Sequence, residues 1–435
     1  MTIFAPMKKS ATIVLSLCAA ILLAASCHRE VPVPEPATNP YSRVMILCAL
    51  GFNSLSPYIR ADIEELAASA EDGYIPPKGS NRALVVIEHL VDPKYPTMST
   101  AYRHPTSPLV IQISRDHLGN VICDTLKTYT DATILSDKET LSQAFDFVRT
   151  KFVSDSYGIV FSSHGTGYLP KGYYDQGDDS FKLLAVPKVD DDNPWPDGIP
   201  VKTFSETIYY TGSTRNSSQI ELADLPDCIP MKTDYILFDA CFMGGVEVAY
   251  ELRNVTKCVG FSQAEVAAEG FVYKTIAKRL LGGDAPDPEG VLRDYYEMSA
   301  AHESKIYRSA TISLVDCGKL EPLATLCKEL FETYRSGLAA IDYSTVQGFY
   351  RQNKHWFFDL EDILIHAGMT DADHARLTEA LNGCVTYKAA TERVLDDFDV
   401  NIFCGLSMYL PCAGSAKLDS YYRNLAWNSA AGLVK

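Results

Sequence analysis

Apolar residues along the chain come in short continuous runs, separated by stretches with helical spacing. This alternation predicts an α/β protein with a largely parallel sheet between helix layers. "YSRVMILCAL" (Tyr41–Leu50) is nearly all apolar, as a strand buried on both faces must be. "SPYIRADIEELAASA" follows with apolar positions at helical intervals, and "RALVVIEHL", "PLVIQISRD" and "VICDTLKTY" predict three further strands. Asp116–Asn120, "DHLGN", is a hairpin-like turn between the last two. "DKETLSQAFDFVRTKF" has the spacing of an amphipathic helix, with Ser136 or Asp137 as its cap. Two apolar strands then end in polar residues, "YGIVFSSHG" and "DYILFDAC". After the second, "GGVEVAYELRN" is helical in pattern and "KCVGFSQAE" is another apolar strand. From Asp284 the pattern is mostly helical, interrupted by the strand candidates "SATISLVD" and "NIFCGLSMYLP". There is no internal repeat.

The first 40 residues do not belong to this alternation. Lys8 and Lys9, an apolar segment from Ala11 to Ala24 and small residues before Cys27 form a secretory signal peptide, residues 1–26, too short for a stable membrane span. Met7 directly precedes the lysine pair and is an alternative start. "LAASC" resembles a bacterial lipobox with Cys27 as the acylated residue, although Ala24 stands where Leu is usual; plain signal-peptidase cleavage near Ser26 is the alternative. Residues 27–40, "HREVPVPEPATNP" among them, read as a Pro-rich tether. An exported, lipid-anchored protein of the cell envelope or cell surface is expected.

Composition narrows the function. A net charge of −16 argues against nucleic acid as a partner, because like charges repel. The 12 cysteines lie mostly inside apolar runs, with no C-x-x-C pair and no zinc-type cluster, so buried free thiols are expected, with room for one or two disulfides. His164–Asp234 is rich in Gly, Pro, Asp and Ser and exceeds a simple crossover, the mark of a functional or disordered loop.

Chemistry concentrates at two strand ends. If "GIVFSSHG" and "YILFDAC" are neighbours in a parallel sheet, His164 and Cys241 share its carboxyl edge, where open α/β sheets bind ligands. Thiolate is the nucleophilic form of cysteine, and an imidazole or a helix N-terminus favours it; the helix expected from near Gly244 would supply its positive end. The backbone N–H groups of Gly165 and Cys241 could then hold an oxyanion. Taken by spacing alone, a cysteine at a strand end is more often a small core residue. His89, His104 and His117 have no partner pattern, and no G-x-S-x-G elbow surrounds Ser162 or Ser163. "KHWFFDLEDIL" (Lys354–Leu364) reads as core or groove wall.

"SSHGTG" with "LFDACFMGGVEVAYEL" resembles the clostripain-type cysteine peptidases, relatives of caspases, legumains and gingipains. "CVGFSQAEVAAEGFVY", "GLSMYLP" and "RVMILCALGFNSL" extend the likeness across Arg43–Pro411. The resemblance implies a caspase-like αβα sandwich with a mostly parallel sheet, a core over 41–283 and helical C-terminal additions over 284–435 that complete the same domain. It implies Cys241 as nucleophile, His164 as general base and acid, and Gly165 and Cys241 as oxyanion donors. Asp239 matches the acidic residue lining a pocket for a basic side chain, or else braces the turn. Glu269 stands where a second acidic pocket residue, often Asp, is expected. Cleavage after Arg or Lys is the implied specificity, since a buried carboxylate pair rejects a neutral side chain. Activation by self-cleavage in the linker 171–232 is a family habit, with Lys171, Lys182, Lys188, Lys202 and Arg215 as candidates beside a single-chain active form. The opening motif lacks the acidic residue expected beside Asn53. Some relatives depend on calcium, which Asp178–Asp179 and Asp190–Asp192 could bind, but acidic loops are ordinarily solvated and no cofactor is expected. The expected partners are proteins or peptides with basic residues, and the expected state is a monomer. The alternatives are a non-catalytic surface lipoprotein of the same fold that binds peptides or host polymers, and a peptidase of different specificity.

Overall fold

The computed structural model describes residues 41–68, 74–95, 97–173, 207–211, 213–351 and 354–435. The leader, the tether with Cys27, Lys182, Lys188, Lys202 and the carboxylates of Asp178–Asp179 and Asp190–Asp192 lie outside the described residues. Residues 40–435 form one compact unit.

Nine strands among the described residues make the main sheet: β1 (Arg43–Gly51), β2 (Arg82–Leu90), β3 (Leu109–Arg115), β4 (Val121–Thr128), β5 (Tyr157–Ser162), β6 (Thr233–Asp239), β7 (Thr256–Phe261), β8 (Thr311–Asp316) and β9 (Val385–Ala390). Their spatial order is β9-β8-β7-β6-β5-β1-β2-β3-β4. The five central strands, β7, β6, β5, β1 and β2, are parallel. The flanking strands β3, β4, β8 and β9 are antiparallel to their neighbours. Sequence and position agree physically. Every residue of β1 is buried, as its unbroken apolar run requires at the centre. The edge strand β4 has no fully buried residue and carries Asp124 and Lys127 toward water.

Helices cover both faces. On one lie α1 (Ser56–Ala68), α4 (Tyr273–Leu281) and α5 (Pro288–Ala300), with α4 packed on α1, α5, β1 and β2. The other layer includes α2 (Lys138–Lys151), α3 (Val246–Leu252), α6 (Leu320–Thr333) and α7 (Asp371–Cys384), with the short helix Ala426–Ala431 packed on α3 and α6. The chain is thus an αβα sandwich with helical C-terminal additions. Asp137 is the residue that caps α2: its carboxylate accepts the N–H groups of Glu139 (3.1 Å) and Thr140 (3.2 Å).

Two expectations change. "NIFCGLSMYLP" yields only a two-residue strand, Ser407–Met408, paired with Phe358–Asp359 outside the main sheet. Gly405 at φ +91° breaks the run, and the Cys404 N–H goes to the buried Asp359 carboxylate (2.8 Å). The helix after Cys241 is also short, seven residues from Val246. The ten described cysteines are all free thiols, and among the described residues no helix is long and apolar enough to cross a membrane.

Candidate active site

The two polar-ended strands are neighbours. β5 and β6 run parallel with Ser162 opposite Asp239, so His164 and Cys241 lie equally far beyond the sheet's carboxyl edge. β1 pairs with β5 on the other side and ends at the same edge. There Asn53 shapes a tight turn: its amide donates to the Leu50 carbonyl (3.1 Å) and accepts the Leu55 N–H (2.9 Å). The turn presents Ser54, whose Oγ is 3.1 Å from Nε2 of the buried His164.

Cys241 is 0% exposed. Its Sγ accepts the Val266 N–H at 3.1 Å, and the thiol faces the Val266 carbonyl at 3.7 Å. The Val266 N–H is the backbone donor that reaches the sulfur. The expected helix N-terminus is not that donor, since α3 begins five residues further on at Val246. The turn after Cys241 is unusual backbone: Phe242 has φ +59°, a left-handed conformation that costs a non-glycine residue about 1–3 kcal/mol. It is held by Phe242 N–H to Ala264 (3.0 Å), Gly244 N–H to Ser262 (2.7 Å) and Ser407 N–H to Gly244 (2.8 Å). Gly165 lies directly against this turn. A Cβ there would stand 2.1 Å from the Cys241 carbonyl oxygen and 2.9 Å from its nitrogen, so only glycine lets the two backbones approach.

The carboxylates near the sulfur have unlike surroundings. Asp239 is wholly buried and accepts the Tyr273 hydroxyl at 2.8 Å. Glu269 is exposed, just before Gly270 at φ +63°. Glu265, next to the residue that contacts Cys241, is buried and paired with Arg351. That arginine arrives on a crossing segment of the C-terminal region. Phe357 stacks on Phe242 at 4.7 Å, and the Tyr168 hydroxyl donates to the Trp356 carbonyl, so the segment lies over the turns that follow His164 and Cys241. Lys354–Leu364 is a wall here, as its aromatic content predicts, with only Leu360–His366 helical. Ser54, Glu265 and Arg351 have no signal in the sequence, because nothing local distinguishes them from other serines, glutamates and arginines.

Imidazole, thiol with an amide donor, and two adjoining backbone N–H groups are the parts that nucleophilic acyl transfer needs. Residues 207–429, a little over half of the chain, match the model of the clostripain family. The chain belongs to the clostripain family. The matched stretch includes Cys241 and the three carboxylates; His164 precedes it. Clostripain of Hathewaya histolytica is 25% identical over 164 residues, 36% of this chain and 26% of that protein, so the match spans about a quarter of that relative. Two solved structures share the fold over 90% of this chain and 99% of theirs. One is an inactive zymogen C11 protease from Parabacteroides distasonis (24% identity, TM-score 0.69). The other is a secreted C11 cysteine protease from Bacteroides thetaiotaomicron with an irreversible peptide inhibitor (22%, TM-score 0.68).

Proposed function

We infer that this clostripain-family chain is a cysteine endopeptidase that cleaves after arginine or lysine through an acyl-enzyme on Cys241. The observation that carries the reading is the equal placement of His164 and Cys241 beyond two adjacent parallel strands, with Gly165 against Cys241. His164 takes the thiol proton, and the thiolate attacks the scissile carbonyl. The N–H groups of Gly165 and Cys241 receive the oxyanion, and the imidazolium returns the proton to the leaving amine. Water then releases the acyl group with His164 again as base. Asp239 and Glu269 are the expected selectors of the basic side chain, although the burial of Asp239 under Tyr273 favours its bracing role.

The buried sulfur supports a latent single chain that must open. Self-cleavage in the linker is one route. Lys171 is exposed, and within the linker the hairpin of Thr207–Thr211 and Thr214–Ser218 is tied to the Phe52 carbonyl (3.2 Å), two residues from Ser54. A cut upstream of this hairpin would loosen the turn that holds His164. The leader and Cys27 support export with a lipid anchor.

The test is turnover of fluorogenic peptides ending in Arg, Lys, Asp or Leu by the mature protein and by Cys241→Ala. Turnover of the basic peptides alone, lost in the variant, is expected. Equal residual turnover in both proteins contradicts the nucleophile, and turnover of the Asp peptide alone contradicts the specificity. N-terminal sequencing of any fragment should find a cut within 171–232.

A further inference from the structure

Glu265 and Glu269 stand four residues apart on one loop, and only the first is buried, at 6% exposure. Both oxygens of Glu265 are taken by one guanidinium: Arg351 Nη2 donates to Oε1 at 2.9 Å and Nε donates to Oε2. Two parallel N–H···O bonds of this kind are how a carboxylate recognises an arginine side chain in particular. The pair also sits beside the reacting atom, because the next residue, Val266, gives its N–H to Cys241 Sγ. Arg351 is delivered by a loop closed by the Phe349 N–H to Phe357 carbonyl bond (2.9 Å), with both phenylalanines wholly buried. Phe357 anchors that loop on Phe242, the residue after the nucleophile. Burial disfavours the Arg351 charge, but the hydrogen bonds and charge of Glu265 hold its pKa above the ordinary arginine value, with smaller attractions from Asp397 and Cys241. The arginine thus holds a buried acid one residue away from the contact to a wholly buried sulfur.

We propose that Glu265 is a further carboxylate, beside Asp239 and Glu269, that receives the basic side chain of a substrate, and that Arg351 is its built-in occupant, displaced when that side chain arrives. This rests on the reading of the site as a peptidase for basic residues. Two consequences follow from one pair. A neutral side chain cannot displace Arg351 without leaving a buried carboxylate unpaired, which is strongly unfavourable. A basic one exchanges like for like, but binds only the fraction of molecules in which Glu265 is free, so its apparent affinity is reduced by that fraction. An arginine that instead supported the Cys241 thiolate would act with the opposite sign on activity.

The test compares the full mature chain with Arg351→Ala, Glu265→Gln and the double variant. Thermal melting checks folding, and the double variant removes both charges so that neither is left unpaired. For an Arg-ending peptide, Arg351→Ala should lower KM about tenfold with kcat nearly unchanged, as release of an internal competitor requires. A Leu-ending peptide should gain nothing. Glu265→Gln should raise KM for the Arg peptide at least about tenfold, and the double variant should lose the benefit of Arg351→Ala. An unchanged KM in Arg351→Ala, or a fall in kcat with slower iodoacetamide alkylation of Cys241, overturns the proposal. If no peptide is cleaved by any form, the peptidase reading fails by itself, and the alkylation rate decides about Arg351. Faster alkylation in Arg351→Ala keeps it as the cover of the site, and an unchanged rate removes it.

Discussion

The two edges of the central sheet use arginine in different ways. At the amino edge, Arg43 donates to the carbonyls of Leu280 and Gly282 (both 3.3 Å) and Asp284 (2.8 Å). Arg82 beside it donates to Leu281 (2.5 Å), Gly282 (2.8 Å) and Gly283 (3.0 Å). These carbonyls close the C-terminus of α4, whose last turn has no intrahelical donors left. The two charges are therefore consumed in finishing a helix. At the carboxyl edge, Arg351 pairs with the buried Glu265 carboxylate, beside a thiol that already has an amide donor. A charge that satisfies backbone groups explains itself; a buried charge pair beside a nucleophile asks for a function.

Substitutions at the two edges should separate these roles. The largest effect is expected from Gly165→Ala, whose Cβ would collide with the Cys241 backbone. Displacing an oxyanion donor should cost about 10²–10³ in kcat, together with a lowered melting temperature because the collision forces the two backbones apart. A near-normal kcat would place the oxyanion elsewhere. Next is Glu247 in α3, buried beneath the turn after Cys241, where its Oε1 accepts the Tyr422 hydroxyl (2.7 Å) and the Tyr409 N–H (2.9 Å). Burial, only partly offset by these bonds, pushes its carboxyl up to about 7. A carboxyl raised in the folded state favours folding while protonated, and that contribution is lost as pH rises from the unfolded value through about 7. Urea unfolding at pH 5 and pH 8 should show a decline in the wild type, with Glu247 contributing roughly 3 kcal/mol, that Glu247→Gln lacks. Equal declines would mean that the group ionises as it does in the unfolded chain.

At the amino edge, Arg43→Met should lower unfolding free energy by about 2 kcal/mol through orphaned carbonyls while leaving kcat/KM unchanged. A comparable fall in kcat/KM would erase the distinction between the edges. The smallest effect is expected from Ser54→Ala, which removes the Ser54 hydroxyl from Nε2 of His164. A loss of about tenfold in kcat with a displaced pH profile and unchanged KM would mark Ser54 as a positioning residue. An unmoved profile would make it a bystander.

The fold was legible because central strands leave their burial in the sequence. β1 and the Tyr235–Phe238 stretch of β6 are apolar runs, and β6 breaks into Asp239 and Cys241 at its carboxyl end, still within the core. His164 and Cys241 could be paired in thought because each follows such a run. β9 was not expected: "VTYKAA" is short, half exposed and no different in pattern from an edge loop. The pair Glu265 and Arg351 was illegible for another reason. The arginine comes from far downstream, and only the crossing of Phe357 over Phe242 brings it to the sulfur. The two carboxylates singled out in the sequence, Asp239 and Glu269, prove to differ in burial, which spacing along a chain does not encode.

The central claim is that Cys241, among many free thiols, is the nucleophile for basic peptides. The most direct measurement is mass-spectrometric mapping of an Arg-ending acyloxymethyl ketone peptide after reaction with the wild type and with His164→Ala. Cys123 and Cys412, exposed and free, serve as internal controls. A single adduct on Cys241, lost in His164→Ala, is the predicted result. An adduct shared with Cys123 and Cys412, or formed equally without His164, would contradict it.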